Sequence, residues 1–103
     1  MQKFILAYQG GQQPETQEEG AAQMAKWHKW TENLGSAVID PGMPIGKAQG
    51  VTAEGVNAAG ALSSVSGISI IQAESIDDAL KMVADCPYLD IGGTVDVAPV
   101  MQM

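Results

Sequence analysis

Four short β-leaning stretches and two capped stretches with helical spacing follow one another in this chain as strand, helix, strand, strand, helix, strand. Lys3 to Tyr8 places Phe4, Leu6 and Tyr8 on one face and Lys3, Ile5 and Ala7 on the other, which suits a strand covered on both sides. Gly10-Gly11 ends it. From Thr16 to Glu19 the residues fit a capping box, so a helix is expected to start there and run to about Leu34. Met24, Trp27, Thr31 and Leu34 form its inner stripe, His28 and Trp30 flank that stripe, and Gly35 supplies the exit. Ala37 to Asp40 reads as a second strand closed by Pro41-Gly42.

The stretch from Pro41 to Gly60 carries Gly42, Gly46, Gly50, Gly55 and Gly60, a connection of the kind that is a functional loop or partly disordered, interrupted by a small hairpin turning at Glu54-Gly55. Val65 to Ala73 is β-branched and predicts the third strand. Ser75 with Asp78 caps a second helix whose inner stripe is Ile76, Ala79, Leu80 and Val83, and Pro87 stops it. After Gly92-Gly93, Val95 and Val97 alternate with Thr94, Asp96 and Ala98 as the fourth strand. Right-handed crossovers fold this order into an α+β, ferredoxin-like unit, a four-stranded antiparallel sheet with two helices on one face.

The opposite sheet face then carries β-branched residues with nothing over them, and such a patch is seldom left wet. Two copies can cover it mutually, so the expectation is a homodimer through the sheet face, a dimeric α+β barrel with a pocket between sheet, first helix and long loop. With 103 residues the chain makes one domain, residues 1–103. Five Lys plus Arg against twelve Asp plus Glu give a net charge of −7, which argues against nucleic acid as a partner. The longest apolar run, Phe4 to Tyr8, falls far short of the roughly 20 residues that span a bilayer, so no membrane role is expected. A single cysteine, Cys86, cannot form a disulfide within the chain, which points to a cytoplasmic protein.

His28 is the only histidine, and an imidazole titrates near neutral pH. Asp40, at the end of the second strand, is the carboxylate this topology can bring beside the preceding helix. Together they form a candidate catalytic pair, His28 as base and Asp40 as its orienter. The competing reading has His28 on a helix flank bonded to a carbonyl and Asp40 capping a turn. Trp27 and Trp30 are candidate ligand-binding residues, against the alternative that they are packing. Cys86 reads as buried packing, Asp77, Asp78, Glu18 and Glu19 as first-turn helix carboxylates, and Asp96 as a rim carboxylate. No zinc-ligand cluster, phosphate loop, dinucleotide fingerprint or serine elbow occurs, so neither a metal nor a cofactor is expected.

KFILAY near the start, WHKWTENLG in the first helix, GISIIQAESIDDAL in the middle and CPYLDIGGTVDVAPV near the end resemble the YCII-related (DGPF) family over nearly the whole chain. The resemblance implies the same fold, a ferredoxin-like unit pairing into a dimeric α+β barrel, and lyase, isomerase or dehalogenase chemistry on small molecules by a His/Asp pair. His28 and Asp40 match that pair by type, order and element. The Asp-Gly-Pro-Phe string is absent, and the Asp-Pro-Tyr of another branch reads Cys86-Pro87-Tyr88. Two functions follow as expectations: a small-molecule lyase or isomerase using His28 and Asp40 for proton transfer, or a non-catalytic module on the same barrel that binds a small organic ligand or another protein.

Overall fold

The computed structural model describes residues 1–57 and 61–102. Gly60, the last glycine of the expected long connection, lies outside them. The main sheet consists of β1 (Gln2–Gly10), β2 (Val38–Pro44), β5 (Val65–Ala73) and β6 (Gly93–Pro99), in the order β2-β5-β1-β6 with every pair antiparallel. Helices α1 (Gln17–Leu34) and α2 (Ile76–Val83) follow β1 and β5. This is the ferredoxin-like arrangement, with the first and third strands of the motif central and the second at an edge.

Alternation along β1 and β5 separates two faces. Phe4, Leu6, Tyr8, Ile71 and Ala73 are buried together with Trp30 of α1, Ala79 and Val83 of α2, and Cys86. Both helices therefore cover the same face. On the other face Ile5 stands opposite Ile70 and Ala7 opposite Ile68.

The helix starts obey their caps. Thr16 Oγ1 accepts from Glu19 N at 3.1 Å, while the Glu19 carboxylate takes the Glu15 amide at 2.9 Å. Ser75 Oγ accepts from Asp78 N at 3.2 Å. The small hairpin also forms, as β3 (Gly50–Thr52) against β4 (Gly55–Asn57), with Thr52 opposite Gly55 so that Ala53 and Glu54 make the turn.

Three expectations are corrected. The α1 stripe is rotated: Trp30 is its buried residue, whereas Met24 is 54% exposed. The larger indole gains more from burial, and its N–H finds an acceptor there in the Met82 carbonyl at 3.0 Å. On α2 only Ala79 and Val83 are buried, and Ile76 and Leu80 are exposed, because a helix of eight residues meets the sheet along a narrow line. Finally, β2 does not stop at Asp40 but continues through Pro41 to Pro44. It lies at the sheet edge and bonds only to β5, with register shifts on either side of Asp40, so its prolines withhold no amide from a second neighbour.

Candidate ligand cavity

A cavity of about 540 Å³ opens where β1 ends and β5 begins, between α1, the end of β2 and the short 3-10 helix Pro87–Ile91. Three aromatic rings form its wall. Tyr8 meets Trp27 and Tyr88 edge-on, with centroids 5.2 and 5.3 Å apart. Met24, Met43, Ile68 and Ile91 add thioether and aliphatic surface. None of the described side chains that line it is charged at neutral pH. Glu19 and Lys26 border a smaller hollow that shares Gln23 with it, and the Asp40 carboxylate bonds to the amide of the lining residue Gly42.

Glycine makes this geometry possible at two positions. A Cβ on Gly93 would lie 2.2 Å from Tyr88 Cε2 and 2.9 Å from the Tyr88 carbonyl oxygen, so the Tyr88 ring occupies the space a side chain there would need. A Cβ on Gly42, whose φ is 119°, would lie 2.4 Å from Ser69 Oγ. That close approach lets the main chain of β2 accept from Ser69: the Pro41 carbonyl is 2.9 Å from Ser69 Oγ.

The polar groups of the wall bond mainly to one another. Tyr8 donates to Ser69 Oγ at 2.8 Å, and burial pushes its phenol far above the ordinary range. Tyr88 donates to the Gly10 carbonyl and contacts Ser66 Oγ at 2.8 Å. Ser66 in turn donates to the Tyr8 carbonyl at 3.2 Å. Gln23 donates its amide to the Pro87 carbonyl at 3.0 Å. Burial keeps the Tyr8 phenol protonated, and each hydroxyl of the wall has a protein partner.

The residues singled out in the sequence are distributed unevenly around this cavity. Trp27 lines it. Trp30 lies behind Trp27, with ring centroids 5.3 Å apart, and is buried in the core. His28 is exposed on α1 and is not part of the wall. Asp40 pairs with Ile70, a residue of the sheet face turned from the helices, and its carboxylate accepts from Gly42 N at 2.9 Å. Among the described residues no hydrogen bond joins His28 to Asp40. Cys86 is 2% exposed, and burial pushes its thiol up to about 11. Asp96 is exposed and accepts from Gln9 at 2.8 Å.

Tyr8, Tyr88, Ser66, Ser69 and Gln23 were not singled out as site residues from the sequence. The legible signal was Ser69, a polar residue at an inward position of a β-branched strand, 3% exposed once folded.

The profile of the YCII-related domain matches residues 1–103, and the chain belongs to that family. No curated protein matches it. Among solved structures it is similar to a 5-chloro-2-hydroxyhydroquinone dehydrochlorinase from Burkholderia phenoliruptrix AC1100, in complex with 2,5-dihydroxybenzoquinone. The TM-score is 0.53 at 19% identity, over 91% of this chain and 90% of the other. At that identity the likeness is one of fold. No described helix is long and apolar enough to cross a membrane.

Proposed function

We propose that this chain binds a small, uncharged, ring-shaped organic molecule in the cavity beside Trp27. The observation that carries this reading is the wall itself, three aromatic rings with thioether and aliphatic neighbours and no charged side chain. Such walls favour flat apolar ligands through ring stacking and edge contacts. A net charge of −7 further disfavours anions. The ring ligand held by the similarly folded dehydrochlorinase supports the same size class.

A second reading makes the chain a lyase or isomerase in which His28 transfers a proton and Asp40 orients it. The activity of that dehydrochlorinase favours it. It requires His28 to reach the ligand from the exposed side of α1. Calorimetric and NMR titration with simple phenols separates the two. The binding reading expects saturable shifts of the Trp27 indole and Tyr88 ring signals, a loss of at least tenfold in affinity for Trp27→Ala, and no change beyond twofold for His28→Ala. Shifts centred on His28 with turnover abolished in His28→Ala would establish the catalytic reading instead, and no response to any ring compound at millimolar concentration would remove the first.

The same reading includes a homodimer through the face that bears Ile5, Ala7, Ile68 and Ile70, and a cytoplasmic location, which a lone buried thiol suits.

A further inference from the structure

We infer that the cavity selects rings that donate hydrogen bonds, hydroxylated aromatics above all, over rings of the same size that only accept them. This deepens the reading of the cavity as a ligand site and rests on it.

The hydroxyl protons of the wall are all spent within the protein. Tyr8 has one hydroxyl proton and spends it on Ser69 Oγ. Ser69 spends its own on the Pro41 carbonyl. Tyr88 and Ser66 have two protons between them and three contacts to serve, the Gly10 carbonyl, the Tyr8 carbonyl and each other. Every hydroxyl on the wall is therefore committed as a donor to the protein, and each retains an oxygen lone pair. Gln23 gives one of its two amide protons to the Pro87 carbonyl, so it keeps one N–H and has an amide oxygen without a donor among the described residues.

A ligand entering between Tyr8 and Tyr88 thus meets a row of acceptors. The wall donors left over are the Trp27 indole N–H, which has no hydrogen-bond partner among the described residues, the second amide proton of Gln23, and the side-chain amides of Gln12 and Gln13 at the rim. A phenolic hydroxyl serves both sets, giving its proton to the hydroxyl row and its lone pair to an N–H. An ether or a fluorinated ring displaces the water from those oxygens and offers nothing in return, and sites built this way discriminate strongly against the analogue that lacks the donor. The rigidity of the row sharpens the choice. Ser69 and Tyr88 each give their proton to a main-chain carbonyl, those of Pro41 and Gly10, so turning a hydroxyl toward the ligand gives up a bond to the protein.

The test uses three rings of similar size on the unmodified protein, resorcinol, 1,3-dimethoxybenzene and 1,3-difluorobenzene, titrated at pH 7 by calorimetry and by ring-current shifts of Tyr88. The expected result is resorcinol binding at least tenfold more tightly than either analogue. Two variants then assign the preference. Ser69→Ala removes the acceptor of the Tyr8 proton and so creates a donor on the wall; the preference for resorcinol over the dimethyl ether should fall at least fivefold. Tyr8→Phe keeps the ring and removes one acceptor, so it should weaken resorcinol and leave difluorobenzene unchanged, a readout available even if Ser69→Ala does not fold. Equal affinity for all three rings in the unmodified protein overturns this inference while the ring-binding reading stands. Failure of all three to bind overturns both.

Discussion

Gly93 is the residue on which the cavity wall most depends, because the Tyr88 ring and its own carbonyl both crowd the place of a Cβ. Neither can withdraw cheaply, since Tyr88 is anchored to Gly10 and Ser66. Gly93→Ala is expected to cost about 2–3 kcal/mol, the scale of core overpacking, and to lower the thermal midpoint by roughly 10 °C or more in a domain of this size. Differential scanning calorimetry checks it, and ring binding should fall with it. Cys86 offers a second test at this scale. Its thiol is held at about 11 when folded against an ordinary 9.0. Below pH 9 both states are protonated and the contribution is complete; above it the unfolded chain loses its proton first, so stability falls as pH rises from 9 to 11. Burial should cost about 1 kcal/mol by pH 10 through this group alone. In urea melts at pH 8 and 10, Cys86→Ala should start lower but fall less. Residue roles of this kind were the least legible part of the sequence: Tyr8 and Ser69 are 61 positions apart, and nothing local announces that a phenol will end on a serine.

Elements were far easier to read, because each carries its own punctuation. Thr16 and Ser75 accept from the third residue of their helices as their spacing requires, and β5 spans Val65–Ala73, as its β-branched run implied. What failed was what depends on neighbours. Which turn of α1 faces inward was decided by the Met82 carbonyl waiting for Trp30, and the length of β2 by its edge position, which tolerates Pro41. The caps lend themselves to a prediction at this scale. Thr16→Ala should cost about 1 kcal/mol, the usual worth of an N-cap. Amide exchange should quicken at Glu18 and Glu19 first, while β1 amides keep their protection.

At the scale of the whole molecule the unresolved quantity in the sequence is the state of the open sheet face, and the cavity bears on it. Ile5 opposite Ile70 and Ala7 opposite Ile68 make an apolar centre on the face turned from α1 and α2. Met43 stands opposite Ile68, and both also line the cavity. A second copy laid on that face would therefore close the cavity on its sheet side, where Met43 is 50% exposed in a lone chain. Dimerisation and ligand binding then become linked, and linkage runs equally in both directions. Ile70→Lys places a charge at the centre of the face without touching the cavity wall. In sedimentation equilibrium at micromolar concentration the parent chain should behave as two copies of 10.7 kDa and the variant as one. The variant should bind resorcinol more weakly, and saturating resorcinol should tighten the parent dimer by the same factor. A parent chain that sediments as a single copy rules out the paired sheet, and a dimer indifferent to ligand would mean that the cavity is complete within one chain.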